Sequence, residues 1–231
     1  MPRLTSLHQR LRAALQAAAE TVRAAPMQAY MKSAMPYHGV TAAGVRAVCR
    51  DVFANYGAVD LATWSNDVLA IWNTAAFREE RYGAIALTGH RSAKPLQTPA
   101  SLAMYEHMIT TGAWWDYVDD IAVHRIGALV ATHPGPMKKT MRLWSKSQDL
   151  WKRRTSILCQ VLAKDSTDLK LLYACIEPSL GSREFFLRKA IGWALRSYAW
   201  HDADEVVRYV DAHADRLSGL STREALKNIK R

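Results

Sequence analysis

Trp114, Trp115, Asp116, Tyr117, Val118 and Asp119 place two indoles and two carboxylates within six consecutive positions. Trp115 and Asp119 are four residues apart, so on a helix one indole face and one carboxylate share a stripe. A carboxylate beside an aromatic wall suits a substrate that is flat, or that gains positive charge as it reacts. The same residues have a plainer reading, in which paired tryptophans pack a core and an aspartate near a helix start caps it or meets its dipole. The six residues alone leave both readings open.

Charge narrows the partner. Lys and Arg number 31 against 21 acids, a net charge of +10, and the pI is about 9.7. That balance points to a polyanion, either nucleic acid or an anionic membrane surface. Lys138, Lys139, Arg142, Lys146, Lys152, Arg153 and Arg154 fall within seventeen residues that hold one acid, Asp149. Arg183, Arg188, Lys189 and Arg196 follow, and Arg216, Arg223, Lys227, Lys230 and Arg231 end the chain. The acids collect elsewhere, at Glu79-Glu80, Asp116 to Asp120 and Asp202 to Glu205. Trp144, Trp151, Phe185, Phe186 and Trp193 are interleaved with the cations. Such a face fits duplex phosphates, which position a protein without reading sequence. A merely solvated surface is the alternative.

Several chemistries lack their residues. There is no H-E-x-x-H, no Walker loop, no G-x-G-x-x-G and no G-x-S-x-G. The eight histidines show no zinc-ligand spacing with a cysteine, and the H-x-E and P-C-x-x-C of zinc deaminases are missing. Asp116, Asp119 and Asp120 read as caps or ion-pair partners rather than as an oxygen-only cation site. Neither a metal nor another cofactor is expected. Cys49, Cys159 and Cys175 are odd in number, form no C-x-x-C and sit in apolar runs, as core cysteines do in a reducing cytoplasm. The first sixteen residues carry Arg3, Arg10 and Arg12 without an apolar stretch, and no run of about 18 apolar residues occurs. A soluble, cytoplasmic protein with no membrane partner is expected.

The elements that must position these residues are helical, since no alternating strand pattern appears. Pro26 and Pro99 suit first helical positions, with Thr98 a cap for the second. Ser147 and Ser182 mark further starts, and Ser221-Thr222-Arg223-Glu224 has capping-box form. Stops lie at Gly57, Gly112, His133-Pro134-Gly135, Pro178 and Gly181. Phe77, Trp114, Trp151 and Phe186 each open a helix, at spacings of 37, 37 and 35 residues. Seven positions on come Ala84, Ile121, Leu158 and Trp193, and eight on come Ile85, Ala122, Cys159 and Ala194. A period of this length predicts an all-α fold, an α-solenoid of antiparallel helix pairs with a concave basic groove, built as one domain over 1–231. Five positions after the opening aromatic come Tyr82, Asp119, Ser156 and Ile191, and three after come Glu80, Tyr117, Arg154 and Lys189. Only the second repeat has an acid in the former slot, and the last two are basic in the latter.

Together the motifs resemble the bacterial AlkD-like DNA alkylation repair glycosylase family, built of HEAT-like repeats. The carrying segments are Met27 to Lys32 with Gly39-Val40, Trp114 to Asp119, Leu150 to Arg154, Arg183 to Trp193 and Leu220 to Ala225. They span residues 26 to 230 in the family's order, nearly the whole chain. The resemblance implies a monofunctional DNA glycosylase that hydrolyses the N-glycosidic bond of positively charged N3- and N7-alkylated purines, such as 3-methyladenine and 7-methylguanine. It implies a double-stranded DNA substrate and a base left in the duplex rather than drawn into a pocket; a monomer is expected, as for a closed solenoid. By position, Trp115 and Trp193 match the two indoles lining the family's lesion cleft, and Asp119 matches its catalytic aspartate. Arg154 matches a DNA-contacting arginine, Tyr30 a tyrosine at the cleft edge, and Phe185 and Phe186 the paired phenylalanines behind the cleft. Lys152, Arg153, Arg188 and Lys189 are the neighbouring cations expected on DNA. Met35-Pro36-Tyr37 and Ala43-Gly44 depart from the family's pattern, both in the N-terminal helices. Two alternatives stand beside this reading: a non-catalytic helical-repeat protein that binds damaged or abasic DNA, and a scaffolding solenoid that holds an acidic peptide.

Overall fold

Apolar side chains recurring every three or four residues yield fourteen α-helices and no strand among residues 6–229, the part described by the computed structural model. Arg3, Lys230 and Arg231 lie outside the described residues. The chain contacts form two compact units, one ending at Gln97 and one beginning at Thr98.

In the first unit run α1 (Leu7–Ala17), α2 (Thr21–Met31), α3 (Ala42–Val52), α4 (Leu61–Thr74) and α5 (Arg78–Thr88). Leu11, Leu15, Val45, Cys49, Trp64, Val68, Ile71, Trp72, Ala84 and Leu87 make its core. Two buried acids at the start of α5 tie down its surroundings, Glu79 the loop after α2 and Glu80 helix α1 and the α4–α5 connection. Glu79 accepts the backbone N–H groups of His38, Gly39 and Val40 at 3.1, 2.9 and 3.1 Å. Glu80 accepts from Arg12 Nε and Nη2 at 3.1 and 2.9 Å and from the Ala76 N–H at 3.1 Å. Gly39 has φ +87°, and a Cβ there would fall 2.1 Å from the Glu20 carbonyl oxygen, so only glycine fits. Pro26 does not open a helix. It is the sixth residue of α2, which begins at Thr21. Nothing in Thr21–Ala25 stops a turn from forming ahead of it, and its missing N–H forfeits a single bond, to the Val22 carbonyl.

In the second unit, Pro99 does open a 3₁₀ turn (Pro99–Ser101), with Thr98 at its cap position. Then come α6 (Leu102–Gly112), α7 (Trp115–Asp120), a π turn (Ile121–Ile126), α8 (Gly127–Thr132), α9 (Pro134–Trp144), α10 (Leu150–Leu158), α11 (Leu169–Ile176), α12 (Phe185–Ala199), α13 (Ala203–Ala212) and α14 (Gly219–Ala225). The repeat has a physical basis. Phe77 and Trp114 stand at the N-caps of α5 and α7, while Trp151 and Phe186 are the second residues of α10 and α12. Ala84, Ile121, Leu158, Ile85, Ala122, Cys159 and Ala194 are all buried, with Trp193 half-buried. The three cysteines are buried thiols, and burial pushes Cys49 and Cys175 up to about 12.

Three of the expected starts shift. The caps of α10 and α12 are Asp149 and Glu184, and Ser147 and Ser182 instead accept the N–H of those cap residues, at 3.1 and 3.2 Å. Ser221 is the third residue of α14. Ser218 caps that helix by accepting the Ser221 N–H at 3.0 Å, so a serine one turn earlier takes the role. The Ser221 hydroxyl is then free to donate to the Arg188 carbonyl at 3.0 Å, and Glu224 turns towards α12.

Helices α12 and α14 make the most extensive helix–helix contact in this unit. Gly192 makes it possible, because a Cβ there would lie 2.4 Å from Glu224 Cβ and 3.0 Å from the Ser221 carbonyl oxygen. Gly192→Ala gains helix propensity but forces α14 outward. The expected net loss is about 1–3 kcal/mol, seen as a lower denaturant midpoint. A rise in the midpoint would show that α14 gives way freely.

Candidate functional site

Helix α10 carries the site's only fully enclosed cation among the sequence-selected residues. Asp149 caps it through the Trp151 and Lys152 N–H groups at 2.9 and 2.8 Å. It packs against α6, α7, the π turn, α9, α11 and α12, which leaves Trp151 and Arg154 to Leu158 buried around most of its circumference. Arg154 is therefore a cation inside a helical core, and such a charge needs a partner.

That partner is Asp119. Arg154 Nε donates to Oδ1 at 2.7 Å and Nη2 to Oδ2 at 2.8 Å, a two-point pair. Nη1 donates to the Phe186 carbonyl, and the guanidinium carbon sits 5.8 Å from the centre of the Phe186 ring. The pair is lopsided: the Arg154 side chain is 6% exposed and that of Asp119 15%. Both carboxylate oxygens are engaged by the guanidinium, and the Asp119 side chain keeps somewhat more exposure than its partner. Burial lifts the Asp119 carboxyl above the usual carboxylate range. Arg154 opposes the lift by hydrogen bond and charge, and the negative charge of Asp116 adds to it.

Helix α7 runs without a break into the π turn and α8, so residues 115–132 are continuously helical. A π turn widens the helix and resets the facing of the residues beyond it, a feature common beside functional sites. Trp115 and Asp119 lie on one stripe of α7, and Trp115 is half-buried. The neighbouring indole does the packing. The Trp114 ring is 6.3 Å from that of Trp151 and 5.5 Å from that of Phe186, with Trp151 to Phe186 at 5.1 Å and Phe185 to Phe186 at 5.4 Å. The plain core reading holds for Trp114. Trp193 is seven residues past Phe186 on α12, about 10.5 Å along the same stripe, and packs half-buried against the C-terminal core.

The structure thus gathers Asp119, Arg154, Phe185 and Phe186 around α10. Lys152 and Arg153 belong to the same helix but are engaged elsewhere. Lys152 pairs with Glu106 and lies 5.5 Å from the Trp144 ring centre, and Arg153 donates to Ser179 Oγ at 2.9 Å and the Pro178 carbonyl at 3.2 Å. Arg188 Nε donates to the Ser182 carbonyl at 2.9 Å, and Lys189 pairs with Glu224 at 2.7 Å. Phe185 is exposed. Tyr30, on α2 of the first unit, is 79% exposed. Glu106 and Glu224 are the polar residues that sequence reasoning missed. They stand 46 and 35 residues from their partners, and no local pattern marks them.

The pair makes a prediction. Arg154→Gln leaves the Asp119 charge buried without its partner, at an expected cost of about 3–5 kcal/mol near neutral pH. Its folded-state pKa then stands further above the unfolded value, so the variant loses stability as pH rises through that window. The deficit against the unaltered protein should shrink on acidification below the ordinary aspartate range. A deficit independent of pH in denaturant titrations would contradict the assignment.

The model of the DNA alkylation repair enzyme family matches residues 11–229. A solved structure described as a predicted DNA alkylation repair enzyme from Enterococcus faecalis is similar with a TM-score of 0.83 and 26% identity, covering 92% of this chain and 97% of that one. No curated protein matches the sequence. A match over nearly the whole length, on an all-helical fold with the same arrangement, leads to one conclusion: the chain belongs to the family of DNA alkylation repair enzymes.

Proposed function

We propose that the protein is a monofunctional DNA glycosylase, acting as a monomer in the cytoplasm, that excises positively charged N3- and N7-alkylated purines from double-stranded DNA. The observation that carries this reading is the Asp119 carboxylate, oriented through both oxygens by Arg154, still 15% exposed, and one turn after Trp115 on α7.

An alkylated purine is already cationic and leaves as a neutral base. As the N-glycosidic bond lengthens, positive charge develops on the deoxyribose. A fixed carboxylate near C1′ stabilises that charge more in the transition state than in the ground state, which is the requirement for catalysis. Asp119 supplies the carboxylate, and it also orients a water whose oxygen adds to C1′ while its proton passes to the carboxylate or solvent. Trp115 and Trp193 flank the sugar and attract the developing cation through their π faces, about 0.5–2 kcal/mol each. Under-solvation of Asp119, the cause of its raised pKa, increases what it gains from a new cation. Tyr30, Phe185, Arg153 and Arg188 contact the DNA, the two arginines keeping their charge because their partners are neutral, whereas Lys152 is taken by Glu106; Phe186 and Arg154 support the carboxylate. Selectivity comes from the leaving group's own charge, with the base left in the duplex.

The ion pair also gives the second reading its support. An aspartate that already satisfies an arginine has a structural role, and a non-catalytic protein that binds damaged or abasic DNA needs nothing more. Single-turnover release of base from a 7-methylguanine duplex separates the two. Asp119→Asn should slow release by about a hundredfold or more while abasic-DNA binding persists. The rate should fall on acidification through a pKa above that of an ordinary aspartate, because Asp119 acts only when ionised. Hypoxanthine, a neutral lesion, should not be released. Equal rates for the Asn variant would leave only the binding protein.

A further inference from the structure

Glu224 is a carboxylate to which the proposed chemistry assigns nothing. It lies on α14 and receives two cations from α12: Lys189 Nζ at 2.7 Å on one oxygen and Arg196 Nη1 on the other. Lys189 is four residues before Trp193 and Arg196 three after it, so all three share one stripe of α12. The two cations that flank the second indole are already neutralised, in part, by an acid of the protein. The trio carries a net charge of +1 where α12 alone would present +2.

The clamp is built rather than incidental. Gly192 lacks the Cβ that would collide with Glu224 Cβ, which lets α14 sit directly on this stretch of α12. Ser221, 1% exposed, ties the two helices by donating to the Arg188 carbonyl at 3.0 Å. The Glu224 side chain is itself only 18% exposed. A surface ion pair spends most of its attraction on ordering two long side chains. Here the acid is ordered by packing before it meets either cation. Its carboxyl is drawn below the usual range by the Lys189 hydrogen bond foremost, and burial opposes this.

We propose that Glu224 is a specificity-determining residue: it occupies Lys189 and Arg196 as an internal stand-in for phosphate, withholds them from the duplex backbone, and so holds down affinity for undamaged DNA. The inference rests on the reading of α12 as a DNA-facing helix. Its logic is electrostatic. Each cation that meets a phosphate releases a counterion and adds affinity that is blind to sequence and to damage. A repair enzyme meets a vast excess of undamaged sites, so surplus affinity of that kind lowers the fraction of enzyme on lesions. A repair enzyme that selects by leaving-group chemistry gains nothing from it.

The test is a salt titration of binding to an undamaged duplex, by the unaltered protein and by Glu224→Gln and Arg196→Gln. For Glu224→Gln, the slope of log K against log salt should steepen by about 0.9–1.8, one or two added phosphate contacts. Affinity at the low-salt end should rise roughly three- to tenfold, and preference for an alkylated over an undamaged duplex should fall. Arg196→Gln, which removes a cation already withheld, should leave the slope unchanged. If Glu224→Gln folds with a lower melting temperature but an unaltered slope, Glu224 is only a strut for α14 and the inference is overturned. If Glu224→Gln does not fold, Arg196→Gln decides alone, since a slope lower by about 0.9 would show Arg196 on phosphate already. A wild-type protein without salt-dependent duplex binding would instead sink the glycosylase reading itself.

Discussion

Asp119 and Arg154 cannot be separated without stranding a charge inside the C-terminal unit, and the surrounding helices are arranged by that fact. Arg154 projects from a helix that six neighbouring elements enclose, so its desolvation is unavoidable. Two carboxylate oxygens and one main-chain carbonyl, drawn from α7 and α12, take three of its donors. The pair therefore fixes three helices against one another at a single point. Well-packed apolar residues could fill the same volume at equal or better stability. A buried ion pair in such a place is an argument for function rather than for stability.

The repeat explains how the pair arises from neighbouring units. Arg154 holds the slot three after the opening aromatic of its repeat, and Asp119 the slot five after in the repeat before it. In the first repeat the former slot is Glu80, also buried and also paired, to Arg12. In the fourth it is Lys189, paired to Glu224. The one slot that points sideways from each helix is thus charged in three of four repeats and finds its partner on an adjacent helix each time. Only between the second and third repeats do both members come from the repeat's own slots.

Much of this is legible in order along the chain. The aromatic openings and the apolar positions seven and eight beyond them mark the helices that pack, because burial depends on spacing that the sequence displays directly. Local capping is less legible. Ser221 has a glutamate three residues on, but Ser218 stands one turn earlier, and the helix takes the earlier cap and puts Glu224 to another use. Pro26 suits a helix start, yet nothing ahead of it forbids a turn. The π turn at Ile121–Ile126, which packs against α10, leaves no mark in the residue types along it. Glu106 and Glu224 are invisible for a related reason: an ion pair between distant helices depends on register in space, and neither acid lies near its cation in sequence. Asp119 stands out by its indole neighbours and by resemblance to a family, whereas its bond to Arg154 requires coordinates.

An aspartate bound to arginine looks like a poor catalyst, because the guanidinium cancels part of its field. The proposed reaction answers this in two ways. A cation that develops nearer to the carboxylate oxygens than to the guanidinium gains more attraction than repulsion. The pair also removes freedom. A lone aspartate on a helix surface samples several rotamers and is solvated in each, and water must be stripped from it before it can act. Asp119 has already lost most of that water on folding, and two hydrogen bonds hold its orientation. Its solvation deficit shows in a carboxyl held above the usual range despite the arginine. In the proposed reaction that deficit is repaid as a positive sugar forms beside it, so the cost of burial, incurred once on folding, becomes a preference for the transition state.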